Sequence, residues 1–252
     1  MQSVEFILHL RTFLFFRNMV GTLVNAGAVI VGSVIGLAFK KVLPEKYQTI
    51  YFQAVGLFTL LLGVKMSLSM SGSSALLVVL SLVLGGFVGV ALKLDQRMDN
   101  LGNWVKTKTG SKNDKFTEGL VTAFLLYCMG AMTITGAITE GLTGETSDIL
   151  LTKSIMDFFS SIMLASALGI GVLFSAIPLL LFQGGITLLV ALFGKSIPDA
   201  IITEMIVVAG IILIGLGINL LDIKKIKIIN LLPSLLFICL FLWLKIAFGN
   251  NF

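Results

Sequence analysis

The chain has 252 residues, of which 57% are hydrophobic and 12% charged, and its mean hydropathy is +1.04. Soluble domains average about 45–50% apolar and about 25% charged residues, so this composition excludes a secreted disulfide scaffold, a disordered regulator and an ordinary cytosolic enzyme. The net charge of +5 would suggest nucleic acid in a soluble protein. Here the basic residues sit between apolar runs, which points to membrane orientation and not to a nucleic-acid partner.

Residues 1–18 hold Glu5, Arg11, Arg17 and the aromatic Phe13, Phe15 and Phe16. They lack the small-residue cleavage site of a signal peptide. They are read as an extension, either a mis-assigned start ahead of Met19 or a short interfacial helix. Residues 19–252 are read as one membrane domain.

About 20 apolar residues in helical form cross a hydrocarbon core of about 30 Å. Such runs occur at 20–39, 50–68 (with Lys65 near its end), 75–92, 119–138, 200–220 and 229–247. The run 155–193 is double length, about 58 Å at 1.5 Å per residue, and must break. Pro178 near its middle, flanked by Gly169, Gly171 and Gly184-Gly185, divides it into 155–174 and 176–193. Re-entrant half-helices are the competing arrangement. The expected fold is all-α and polytopic, with about eight transmembrane helices.

Loop charge orients these spans. Lys40, Lys41 and Lys46 precede the second span. Lys93, Arg97, Lys106, Lys108, Lys112 and Lys115 lie between the third and fourth, and Lys224, Lys225 and Lys227 before the last. In an eight-span chain all twelve share one side, against Lys65, Lys153, Lys195 and Lys245 on the other, together with Glu140, Glu145, Asp148 and Asp199. The positive-inside rule makes the basic loops cytoplasmic and puts the C-terminus outside.

The chain also matches itself at an offset of 154: Lys41 meets Lys195, Pro44 meets Pro198, Glu45 meets Asp199, Thr49 meets Thr203, Gly56 meets Gly210 and Gly63 meets Gly217. The units at about 20–92 and 176–247 read as three-helix repeats, with linking helices at about 119–174. Two intervening spans make the second unit inverted, an arrangement recurrent in secondary transporters.

Polar groups inside spans are the candidate site residues, because an ionisable group at the bilayer centre costs about 2.5–3.5 kcal/mol on insertion scales. Asp157 and Glu204 are the two acids just inside apolar runs, and this division puts both near the outer face. Each reads either as an interfacial acid or as a proton- or cation-coupling carboxylate. Asp157 shares a helical face with Ser160 and Ser161, continuing through Ala165 and Gly169. Gln183 and Ser166 lie deeper, and Asn25 has similar standing near the outer end of the first span. Asp157, Glu204 and Gln183 are expected to border one water-accessible cavity. Thr133, Thr135 and Thr139 are hydroxyls that a helix tolerates. Cys128 and Cys239 read as core residues, and the only histidine is His9, so no metal site is expected. No Walker A, G-x-S-x-G, H-E-x-x-H or C-x-x-C pattern occurs, and no cofactor is expected.

Four stretches are distinctive: G-T-L-V-N-A-G-A-V-I-V-G-S-V-I-G at 21–36, F-T-E-G-L-V-T-A-F-L-L-Y-C-M-G-A-M at 116–132, D-F-F-S-S-I-M-L-A-S-A-L-G-I-G-V-L-F-S-A-I-P at 157–178 and I-K-I-I-N-L-L-P-S at 226–234. In these the chain resembles the YdfK/YqgA-like family of bacterial polytopic membrane proteins, from Met19 to about Trp243. Lys65 and the N-terminal extension depart from the pattern. The resemblance implies a bacterial inner-membrane location and carries no active-site residues.

The expected function is a small secondary transporter or permease for a small solute or ion, with the lipid bilayer as its surroundings and homo-oligomerisation compatible with the sequence. An ion channel, a structural or assembly protein and, last, a lipid-modifying enzyme are the alternatives. An enzyme is not expected, because no clustered acid, base or phosphate-cradling motif is present.

Overall fold

The computed structural model describes residues 19–39, 44–109, 115–193 and 198–248. The extension at 1–18 and the loop lysines Lys40, Lys41, Lys112 and Lys195 lie outside them. The described residues form helices without strands: α1 (Val20–Phe39), α2 (Glu45–Ser67), α3 (Ala75–Ala91), α4 (Leu94–Thr109), α5 (Phe116–Cys128), α6 (Ala131–Thr143), α7 (Asp148–Leu168), the single turn α8 (Gly171–Phe174), α9 (Ala176–Phe193), α10 (Asp199–Leu220) and α11 (Ser234–Ala247). Seven spans are long and apolar enough to cross a membrane: α1, α2, α3 with its preceding 3-10 turn, α7, α8 joined to α9, α10, and α11 with its own preceding turn. The pair α5 and α6, bent by 59° at its junction, brings the number to eight where it is one broken span rather than a re-entrant loop. The chain is a polytopic membrane protein.

Helix α1 buries most of its small residues and exposes most of its large ones. On α1 the buried face is Gly21, Thr22, Asn25, Ala26, Val29, Gly32, Ser33 and Gly36, while Leu23, Val24, Ile30, Val31 and Val34 point outward. Lipid tails are as apolar as Leu, so helices gain by close backbone approach and interhelical hydrogen bonds rather than by hiding Leu. A side chain at Gly32 or Gly36 would run into the carbonyls of Phe158 or Ile162 on α7. The α2–α10 contact is built the same way: a Cβ at Gly63 would stand 2.7 Å from the Gly210 carbonyl oxygen, and one at Gly217 3.0 Å from that of Gly56.

Three boundaries differ from the sequence expectation. The double-length run is interrupted at Ser175, between α8 and α9, as the division at 174/176 has it, but its two spans part earlier, at Gly169, whose φ of 83° is open to glycine and strained for other residues. Pro178 sits in the first turn of α9, where a missing N–H breaks no intrahelical bond. Helix α7 also starts at Asp148, seven residues before the expected 155, because Lys153 is not a loop charge: it is buried and paired with Asp157 one turn on. Finally, a sharply bent helix pair lies at 116–143, where a single continuous span is expected.

The segment between the third and fourth spans carries α4, an amphipathic helix whose Met98 packs, like Ile170 and Phe174, against the buried Phe116 and Leu120, while Leu101 and Trp104 stay exposed. The Lys227 ammonium donates to the Asp95 carboxylate at 2.7 Å, and the Asn230 side-chain oxygen accepts from the Asp95 N–H at 3.2 Å. The basic segments around α4 and before α11 therefore lie at the same end of the bundle. The Lys227 ammonium holds the Asp95 carboxyl below its usual range, and Asp95 raises Lys227 in turn.

Candidate functional site

Starting α7 at Asp148 changes where Asp157 stands. It is the tenth of 21 residues, about 14 Å from the helix start at 1.5 Å per residue. This is mid-span, not the outer face. That place in the helix corrects the expectation of an acid near the outer face, and its 3% exposure puts it inside the bundle. Asp157 accepts a charge-assisted hydrogen bond from the Lys153 ammonium. An isolated charge here would be costly, and a paired one less so.

Around this pair the helices converge polar groups. On α1, Asn25 lies against the Asp157 carboxyl and donates through Nδ2 to Gln183 Oε1 on α9 at 3.0 Å. Gln183 Nε2 donates to Thr22 Oγ1 at 3.0 Å. The Thr22 hydroxyl donates to Glu140 Oε2 on α6 at 3.3 Å, and the Gly21 N–H to Glu140 Oε1 at 2.6 Å. The Ser161 hydroxyl, one turn beyond Asp157, donates to the Asp157 backbone carbonyl at 2.6 Å and meets the Tyr127 hydroxyl at 2.8 Å. The Lys153 ammonium lies 5.6 Å from the Tyr127 ring centroid, a cation–π distance. Two hydrogen-bonded sets, Lys153–Asp157–Ser161–Tyr127 and Asn25–Gln183–Thr22–Glu140, thus meet where Asn25 stands beside Asp157, and between them they draw on α1, α5, α6, α7 and α9. Asn25 Oδ1 and Asp157 Oδ2 are left buried without a hydrogen-bond partner.

The break between α5 and α6 adjoins these groups. Tyr127, Cys128 and Met129 are fully buried, and a Cβ at Gly130 would stand 3.8 Å from Lys153 Cε. The Thr133 hydroxyl spans the break, donating to the Tyr127 carbonyl at 2.5 Å. Non-helical backbone at membrane depth is tolerated only where protein or a water-filled cavity surrounds it, and here protein does.

Of the six candidate residues, the structure brings four together: Asp157, Asn25, Gln183 and Ser161. Ser166 stands apart, its hydroxyl closing on the Met163 carbonyl within α7 at 2.7 Å. Glu204 is buried near the start of α10, accepts the Ser71 N–H at 3.1 Å and lines a cavity that contains neither Asp157 nor Gln183. The single cavity expected to join the three is therefore two separate places. Sequence reasoning missed Lys153, Glu140, Tyr127 and Thr22. Lys153 and Glu140 are assigned there to solvated loops. The signal in hand for Lys153 was its i, i+4 spacing from Asp157. Glu140 carries none, because its partners are backbone and hydroxyl groups 118–119 residues away.

Bundle and buried polar groups together define a multi-pass membrane protein with a buried Lys153–Asp157 pair near the middle of one spanning helix. Residues 20–243 match the family described as Protein of unknown function (DUF554), and the chain belongs to that family. It is 36% identical over 236 residues to Uncharacterized membrane protein YdfK of Bacillus subtilis (strain 168), covering 93% of this chain and all of that one. It is 30% identical over 225 residues to Uncharacterized protein YqgA of Escherichia coli (strain K12), covering 86% of this chain and 94% of that one. No solved structure matches.

Proposed function

We propose that the chain is a secondary transporter of a small solute or ion across the bacterial inner membrane, not an enzyme, with Asp157 as its coupling carboxylate. One observation carries this reading: a sharply bent helix pair adjoins a buried Lys153–Asp157 pair and two buried amides. Dry packing needs none of these. Hydrophobic replacements of a buried ion pair are often neutral or stabilising, so retaining it favours a role other than holding helices together. Broken helices meeting polar groups near the midplane are a recurring transporter design.

The basic segments face the cytoplasm in this proposal and the C-terminus faces out. The Asp95–Lys227 contact supports it by joining two of those segments at one end. The two three-helix units form an inverted repeat. Under the offset of 154, Gly56 exchanges with Gly210 and Gly63 with Gly217, so the observed contacts Gly56–Gly217 and Gly63–Gly210 map onto each other, as a two-fold axis in the membrane plane requires.

The test is reconstitution of the full chain into liposomes and a panel of solute and cation gradients read with and without a proton gradient. Gradient-dependent flux that Asp157→Asn abolishes and Asp157→Glu retains in part is the expected result. Flux across the panel no different from empty liposomes, or an Asp157→Asn variant equal to wild type, would refute the reading.

A further inference from the structure

A second charged place stands apart from the mid-span polar groups. Where the α2–α3 connection, the start of α10 and the end of α11 converge, a cavity of about 330 Å³ is lined by Ser71, Ser73, Thr203, Glu204, Leu242 and Lys245 among others. The size lies in the range of small-molecule sites, about 300–1,000 Å³.

Glu204 is 2% exposed. Its Oε1 accepts the Ser71 N–H, while Oε2 is buried without a hydrogen-bond partner. Across the cavity the Lys245 ammonium reaches the Ser73 carbonyl at 3.3 Å. The described ion pairs are Lys153–Asp157 and Lys227–Asp95, so Glu204 and Lys245 share a cavity without pairing. A buried carboxylate oxygen with no donor is unfavourable until a donor arrives.

We propose that this cavity binds a small zwitterion: a primary ammonium on Glu204 with an anionic group of the same molecule on Lys245, its carbon skeleton against Leu242. Two sources supply that chemistry. One is a free amino acid. The other is an ethanolamine headgroup of membrane lipid, since the cavity lies at helix ends. A choline headgroup does not qualify, because its quaternary nitrogen has no N–H to give Glu204.

Equilibrium binding to the full chain in phosphatidylcholine nanodiscs tests this without any gradient, so its outcome is independent of the transport reading. The probes are radiolabelled glycine, glycerophosphoethanolamine and glycerophosphocholine. Saturable binding of either ammonium probe, weakened about tenfold or more by Glu204→Gln and also by the half-exposed Lys245→Gln, is the expected result. Glycine alone would mark a free-solute site. Glycerophosphoethanolamine alone, with phosphatidylethanolamine retained in native mass spectra, would mark a lipid site. Equal binding of the choline probe, no binding of either ammonium probe, or binding unchanged in both variants at an unchanged thermal midpoint would overturn the proposal.

Discussion

Between α2 and α10 the contact is made by backbone: Gly56 and Gly63 lie against Gly217 and Gly210 with carbonyls in van der Waals reach. Among α1, α6, α7 and α9 it is made by polar side chains, Asp157, Lys153, Asn25, Gln183, Thr22 and Glu140. Both hold helices together in a solvent that gives Leu no reason to hide. The glycine seam does so with no ionised group, so the polar region is not the least costly solution to packing. The difference separates residues kept for adhesion from residues that have a second use.

The sharpest way to break this comparison is to remove one charge. Lys153→Met leaves Asp157 buried and unpaired and should cost about 3–5 kcal/mol, read by detergent-titrated unfolding. The double variant Lys153→Met/Asp157→Leu should recover most of that loss while abolishing flux. A double variant as unstable as the single one would make the pair a packing device after all.

The glycine seam answers to size instead of charge. Gly63→Val must push into the Gly210 backbone and should cost about 1–3 kcal/mol. Gly27→Ala, whose Cβ meets nothing within 4 Å, should gain up to about 1 kcal/mol from helix propensity. Unfolding midpoints that move together would show that the seam is not in close contact.

How far these regions were legible from sequence follows their chemistry. Apolar run lengths gave the spans, and glycines seven apart gave the helix faces of the α2–α10 seam, since both are local patterns. Asp157, Asn25 and Gln183 stood out as polar residues in apolar runs. Their mutual contact did not, because it joins α1, α7 and α9 across 158 positions between Asn25 and Gln183. Lys153 and Glu140 were hidden by their own charge: each reads as the edge of a loop until its buried partner is seen. Pro178 marked the minor interruption at Ser175, whereas the parting of the two spans at Gly169 was masked by it, although a proline is harmless in a first helical turn.

Glu140 sharpens the boundary between the two uses. Its carboxylate takes the Gly21 N–H at the start of α1, where a helix presents unsatisfied donors and a positive dipole end. Glu140→Gln should lower stability by about 0.5–2 kcal/mol with flux per folded molecule retained. A large loss of flux at full stability would move Glu140 into the transport machinery.

The smallest effect is expected at the Asp95–Lys227 contact outside the spans. Asp95 is held low, so its stabilising contribution is present above its unfolded pKa and fades as pH falls through the folded value. Lys227 is raised, so its contribution is present below its unfolded pKa and fades as pH rises through the folded value. Stability of wild type relative to Asp95→Asn should therefore be greatest in the neutral window and shrink with added salt. A difference flat across pH and salt would contradict an ionic contact there.

The central claim is that the mid-span polar groups mark a place a solute or ion visits. Single cysteines at Asn25 and Gln183, in a Cys128→Ala/Cys239→Ala background, can be challenged with a small impermeant thiol reagent in right-side-out and inverted vesicles. The account predicts labelling from both faces, with the ratio shifted by an imposed ion gradient. Cysteines protected from both faces under every gradient, in a protein shown to be folded, would contradict it.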